Sequence, residues 1–377
     1  FTQNEWRKLE RGIKQRARAL NAFLADVYGR GEMIRAGRIP ASLVYRNEAY
    51  EKAAAGFMPP RGVFSHIVGI DLVRTGPDQF YVLEDNCRTP SGVSYMLENR
   101  EIMMRMFPQL FRENRIAPVD RYPELLRRTL SSVAPKKCDS DPTIVILTPG
   151  HFNSAYYEHS FLADLMGVEL VEGQDLFVEG EFVWMRTTEG PKRVDVIYRR
   201  IDDAYIDPLC FRPDSMLGIP GLMDVYRSGG VTICSAPGAG VADDKAVYTY
   251  VPDMVRFYLG EEPILQNVPT WQCHKADEYK YVMENLPDLV VKEVHGSGGY
   301  GMLIGPTASK KEIAAFRAKL QARLADLQQA LREAETDYDA AAKKISAERR
   351  AAAGRLDAAM AAELAPLKME RAVFETR

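Results

Sequence analysis

Gly69-Ile-Asp71-Leu-Val-Arg74-Thr-Gly-Pro-Asp-Gln79-Phe-Tyr-Val-Leu-Glu84-Asp-Asn86-Cys-Arg88-Thr-Pro90-Ser-Gly92 is the stretch on which the fold turns. Residues 63–74 read as a strand, Gly76-Pro77-Asp78 as a turn, and 79–84 (QFYVLE) as the returning strand. A four-residue loop over 75–78 pairs Arg74 with Gln79 and sets Asp71 opposite Val82. Opposed residues share a face of a sheet, and so do residues i and i+2. Asp71, Glu84 and Asn86 are therefore expected on one side. Three oxygen donors at the end of a ribbon suit a hard cation such as Mg²⁺, which takes substrate phosphates as further ligands. The same residues would equally serve as a solvated acidic rim, and a one-residue slip of register would scatter them. Beyond Asn86, the residues Arg88, Pro90 and Gly92 make a tight loop that an anionic group could approach.

Upstream, Trp6, Leu9, Ile13, Leu20, Leu24 and Val27 fall at helical spacing before Gly29, which predicts an amphipathic helix over 4–28. Downstream a helix is expected over 93–114, and APKKCDSDP (134–142) reads as a linker. Then TIVILTPG, VELVEG, DVIYRR and VTICSAPG alternate with helical segments such as YYEHSFLADLMG. That alternation predicts a small parallel α/β domain over about 142–265.

His295-Gly296-Ser297-Gly298-Gly299-Tyr300-Gly301 contains G-x-G-x-x-G. A dinucleotide fold needs a strand before the glycines and a helix after, but here the strand MLIG (302–305) follows. A kinase loop needs its lysine on the strand after the glycines, whereas Lys292 precedes them. No G-x-x-x-x-G-K-[ST] occurs. The remaining reading is a hairpin with an amide-rich flap, where Lys292 and the backbone N–H groups meet phosphate oxygens; a surface hairpin with a snorkelling lysine is the plainer alternative. Lys245, after Asp243-Asp244, opens a helical segment and faces an unfavourable dipole there, a hint of an anionic ligand. Either aspartate would serve as the cap.

With 377 residues, 46% of them hydrophobic, the chain can form two or three domains around a sizeable core. A net charge of −3 argues against a nucleic-acid partner for the main domain. No apolar run reaches the roughly 20 residues of a membrane span. Five scattered cysteines form no C-x-x-C pair, which suits reduced thiols and a cytoplasmic setting. The chain begins at Phe1, so a targeting segment before it is left open. The five histidines, at 66, 151, 159, 274 and 295, form no visible relay.

The stretches GIDLVRTGPDQFYVLEDNCRTPSGVSYMLENR, YRRIDDAYIDPLCFRPDSMLGIPGLMDVYR, GAGVADDKAVYTYVPDMVRFYLGEEPIL and LVVKEVHGSGGYGMLIGP resemble the circularly permuted ATP-grasp proteins, type 2, which are similar to glutathionylspermidine-synthetase-like ligases. The resemblance covers about 1–318. In ordinary ATP-grasp enzymes the lysines and flap precede the metal strands; here Asp71 and Glu84-x-Asn86 come first. The resemblance implies Asp71, Glu84 and Asn86 as Mg²⁺ ligands. It implies Lys245, Lys292 and Gly296, Ser297, Gly298, Gly299, Tyr300 and Gly301 as binders of ATP phosphates. It implies Arg88, Arg199 and Arg200 near the acyl phosphate or substrate, with surface or interface salt bridges as the alternative. The implied reaction joins a small-molecule or peptide carboxylate to an amine through an acyl phosphate.

The implied fold is α/β (α+β): a circularly permuted ATP-grasp fold, incomplete, with a small parallel α/β domain and a C-terminal helical, coiled-coil tail. Its expected domains are 1–135 with the metal hairpin, 136–270 as the central α/β domain, 271–318 with the phosphate lysine and flap, and 319–377 as the tail. Ser309 and Glu312 predict a capping box. Residues 320–377 resemble the coiled coil of the SMC-like bacterial DNA-repair ATPase RecN, and Leu320, Leu324, Leu327, Leu331, Tyr338 and Ile345 repeat at three/four spacing. No adenine hinge is recognisable there, so a ligase impaired in holding ATP is expected. A non-catalytic scaffold that self-associates through the tail is the alternative.

Overall fold

The computed structural model describes residues 1–138, 141–294, 301–364, 366, 368 and 372–376. They form two compact units, Phe1–Gln272 and Cys273–Arg377.

The first unit opens with α1 (Gln3–Val27), started by a reciprocal capping box between Thr2 and Glu5. One stripe of α1 is buried along its whole length. Leu9 packs with Phe80, Val82, Tyr248 and Leu265, while Leu20, Phe23, Leu24 and Val27 enter the largest core. The helix thus braces two parts of the unit. The single turns α2 (Glu32–Arg35) and α3 (Ala41–Tyr45) lead to the hairpin β1 (Gly69–Gly76) and β2 (Gln79–Asn86). α4 (Val93–Met106) and α5 (Pro108–Glu113) follow in place of the single helix expected over 93–114. The break falls at Pro108, which starts a helix well and continues one poorly. α6 (Tyr122–Ser131) comes next.

β3 (Ile144–Leu147), α7 (Tyr156–Met166) and β4 (Glu169–Val171) begin the parallel sheet. An antiparallel meander, β5 (Leu176–Glu179), β6 (Phe182–Met185) and β7 (Lys192–Val194), interrupts it; the sequence reading missed these strands. β8 (Val196–Arg199), α8 (Leu222–Arg227) and β9 (Thr232–Cys234) complete the sheet, whose order is β4-β3-β8-β9. Every residue of β3, β8 and β9 is buried, as expected for strands covered on both faces. Alternate residues supply two cores. Val145, Leu147, Ile197 and Ile233 face the one containing α1, and Ile144, Ile146, Val196, Tyr198 and Cys234 face α6 and α7. α9 (Val251–Met254), with Pro252 in its first turn, and β10 (Gln266–Asn267) end the unit, β10 running parallel to β2.

The second unit holds α10 (Ala276–Glu284), the antiparallel pair β11 (Val290–Val291) and β12 (Leu303–Ile304), and α11 (Lys310–Leu364). The Ser309–Glu312 box starts α11. That helix is 55 residues long, runs unbroken through the expected boundary at 318/319, and buries none of its described residues. Among the described residues no helix is long and apolar enough to cross a membrane, and none of the five cysteines is in a disulfide.

Candidate functional site

The β1–β2 register corrects the one expected from sequence. Gly76 pairs with Gln79 and Arg74 with Phe80, so the turn is the two residues Pro77-Asp78, with Asp78 at φ 55°. A second irregularity falls between Asp71 and Leu72: Leu72 pairs with Val82, but Asp71 pairs with Glu84, leaving Leu83 as an extra residue. This is a β-bulge, and it reverses which residues face inward. Phe80 and Val82 are buried before it; Asp85 and Cys87 are buried after it. Glu84 and Asn86, half-buried, therefore share the face opposite Asp85 and Cys87, with Asp71 directly across from Glu84. In the expected register Glu84 would have shared the face of Val82, the apolar one. Asn86 lies across from Gly69, where a Cβ would stand 2.9 Å from Pro90 Cβ. Only glycine lets the loop after β2 fold over β1.

Asp85 itself turns inward. Its carboxylate receives Nε and Nη2 of Arg16, each at 2.6 Å, both side chains being buried. Burial pushes its pKa up and Arg16 pulls it down. Arg16 also donates to Asn267 Oδ1 at 2.8 Å and lies over the Tyr248 ring. The pair ties α1, β2 and β10 together, holding the flanking Glu84 and Asn86 outward.

The loop 87–94 is clamped at successive residues. Ser65 Oγ donates to Cys87 O at 2.6 Å. Asp243 Oδ1 accepts the N–H groups of Cys87 and Arg88. Arg200 Nη2 donates to Pro90 O at 2.8 Å. Glu158 Oε2 accepts from Gly92 N, Ser94 N and Ser94 Oγ. Arg88 pairs with Asp202 at 3.1 Å and Asp243 at 3.7 Å and remains partly exposed. Asp243 thus organises the loop, while Asp244 is the cap: it accepts from Ala246 N and Val247 N and holds Asn47. Lys245, beside it, is half-buried.

Arg199, expected beside the substrate, is wholly buried. Its guanidinium donates to the carbonyls of Ser235, Ile201 and Ala236 and pairs with Asp203 at 2.7 Å. These bonds spend its donors on bracing the ends of β8 and β9. Arg200 is buried too, but borders a cavity of about 400 Å³. Nearby, burial and Asp203 push Glu51 up to about 7, opposed by Arg199, and burial pushes Asp243 up to about 6. A carboxyl raised in the folded state contributes stability that is complete below its unfolded pKa and is lost as pH rises through the folded value. The midpoint of thermal unfolding should therefore fall between the ordinary carboxylate range and pH about 7. Glu51→Gln should flatten that fall; an unchanged pH profile in the variant would refute the assignment.

In the second unit Lys292 is exposed and lies one residue beyond β11, not within a strand. Gly301 has φ 71°, and a Cβ there would meet Glu293 at 2.6 Å. Gly296, Ser297, Gly298, Gly299 and Tyr300 lie outside the described residues. Among the described residues, no three or more His, Cys, Asp or Glu side chains cluster to hold a metal. The hairpin offers two carboxylates and an amide, a donor set that fits a hard divalent cation sharing its other positions with phosphates and water.

Sequence reasoning also missed Asp85, Asp202 and Asp203, and gave Asp243 a capping role in place of its hold on Cys87 and Arg88. Their types carried no signal, because each acts through residues distant in the chain.

A model of the circularly permuted ATP-grasp family matches residues 1–328, ending inside α11. An uncharacterized protein of Synechocystis sp. is 53% identical over 85% of this chain and 66% of its own length. One from Mycobacterium tuberculosis is 54% identical over 84% of this chain and 57% of its own. A Frankia alni protein, provisionally named glutamate–cysteine ligase 2-3, is 41% identical over 85% of this chain and 37% of its own length. The chain thus spans two thirds or less of these relatives. Members of the matched family use ATP with a divalent metal. With the family model matching well over half of its length, this chain belongs to the circularly permuted ATP-grasp family.

Proposed function

We propose that the chain carries the metal- and phosphate-binding machinery of an ATP-dependent carboxylate–amine ligase that works through an acyl phosphate. The observation that carries this reading is the opposition of Asp71 to Glu84, with Asn86 next on the same face. Asp71, Glu84 and Asn86 would hold a divalent cation such as Mg²⁺, which would supply positive charge against the phosphates of the nucleotide. Lys245, Lys292 and the amides of Gly296–Gly301 would bind the phosphates and keep water away. Arg88, fixed by Asp202 and Asp243, would face the acyl phosphate, with Arg199 as a positioning residue behind it. The substrate carboxylate attacks the γ-phosphorus and releases ADP; the amine then attacks the acyl carbon and releases phosphate. The name of the Frankia alni relative, glutamate–cysteine ligase, supports this class of substrate.

The segment following the flap strands is a helix with no buried residue. A chain without an adenine hinge would grip ATP by its phosphate end. Calorimetric titration should give Mg–ATP and Mg–triphosphate affinities within about tenfold of each other. Heat from neither would sink the reading; a strong preference for ATP would overturn only the phosphate-end grip.

A second reading rests on α11, where Leu324, Leu327, Leu331, Tyr338 and Ile345 are all exposed at heptad-like spacing. It makes the tail a self-association element. Removing 320–377 should then convert a dimer to a monomer by light scattering, and a mass per particle already monomeric in the full chain rules this out.

A further inference from the structure

The cavity beside Arg200 lies where the parallel sheet changes direction. β3 is followed by β4 on one side and flanked by β8 on the other, so the crevice past their carboxyl ends is a topological switch point. Ligands of open α/β sheets settle at such crevices. The cavity, about 400 Å³, is lined from three directions: Pro149, Asn153, Ala155 and His159 after β3, Arg200, Asp202 and Tyr205 after β8, and Thr89 and Ser91 from the loop after β2.

Its chemistry has two poles. At one, α7 begins at Ala155 with no side chain capping its N-terminus, so the partial positive charge of an 11-residue helix faces the space. Arg200 stands at the same pole. It is buried, bonded to Tyr198 Oη and Pro90 O, and keeps its Nε–H unpaired. Its nearest carboxylate is Glu158, 3.5 Å away, whose other oxygen serves the loop at 92–94. At the second pole is the carboxylate of Asp202, about half exposed, with Oδ1 paired to Arg88. His159 also lines the space. Thr148 Oγ1 accepts Gly150 N–H and lies 2.9 Å from His159 Nδ1, and burial, with Arg200 beside it, pushes His159 down to about 4, leaving it uncharged near neutrality.

We propose that this cavity binds a free α-amino acid, its carboxylate toward the α7 N-terminus and Arg200 and its ammonium toward Asp202. As one of the two species joined, that amino acid rests on the ligase reading above; its binding does not, because the cavity is complete within the first unit and needs no nucleotide.

The test uses the full chain without ATP or metal. Thermal-shift screening with each of the twenty common L-amino acids, followed by calorimetry, should yield at least one ligand. The acid lacking its amino group and the amine lacking its carboxylate should each bind at least about tenfold more weakly. Asp202→Asn should weaken the hit by about tenfold or more without lowering the unfolding midpoint, and Ser91→Phe, which fills the cavity, should abolish it. No hit, undiminished binding in both variants, or equal binding of the deaminated acid or of inorganic phosphate would overturn the proposal. An amino acid that binds while Mg–triphosphate does not would retain the site and remove the ligase reading.

Discussion

Arg16→Met should destabilise the protein by about 3–5 kcal/mol, measured by urea denaturation followed through tryptophan fluorescence. The substitution keeps most of the side-chain volume and removes the charge. Asp85, whose side chain has 0% exposure, would then hold an uncompensated carboxylate in the interior. The Asn267 amide oxygen would also lose its donor. Because Asp85 is already pushed up by burial with Arg16 in place, the variant should recover stability as pH falls and the carboxyl takes a proton. Replacing both partners by Arg16→Met with Asp85→Leu should restore much of the loss, since two apolar groups carry no desolvation cost. A single-variant loss below about 1 kcal/mol would show that the pair does not hold α1 to the hairpin.

Glu84→Gln should weaken Mg–ATP or Mg–triphosphate binding by about tenfold to a hundredfold, read by calorimetry. The amide keeps the shape and one oxygen but removes the charge facing the cation. Asp71→Asn, directly across the ribbon, should act in the same direction. Binding of the nucleotide in the presence of a chelator should not change in either variant. Deleting Leu83 probes the bulge. With the extra residue gone, Leu72–Val82 and Asp71–Glu84 become consecutive pairs of a regular ladder, and Glu84 and Asn86 stay on the face opposite Val82. A variant that folds should therefore keep metal-dependent nucleotide binding; its loss would show that the bulge itself shapes the site. Equal affinity in the wild type and Glu84→Gln would remove the hairpin from the candidate site.

Much of this molecule was legible from the chain alone because it depends on local pattern. The period of the apolar residues in 4–28, the almost wholly apolar strands TIVIL and VTIC, and Gly167 after YYEHSFLADLM each state their own geometry. The hairpin and the shared face of Asp71, Glu84 and Asn86 were equally plain, as was the resemblance to the circularly permuted ATP-grasp family. Local pattern also carried the Ser309–Glu312 start of α11. The meander at 176–194 was a missed local signal, its apolar runs LFV and FVWM divided by Glu179-Gly180-Glu181.

What only the tertiary structure decided is register and pairing. The bulge at Leu83 exists because two apolar residues, Phe80 and Val82, must face one core while Asp85 must meet Arg16, 69 positions away. No rule of spacing contains that demand. Arg199 and Arg200, adjacent and identical in the sequence, divide for the same reason. One is spent on Ser235, Ala236 and Asp203, and the other borders a cavity. Alternation along a strand sends neighbours to opposite faces, and what each then meets is supplied by residues far along the chain. The residue types, the elements and the family belong to the sequence; which carboxylate meets arginine, backbone amide or solvent belongs to the packing.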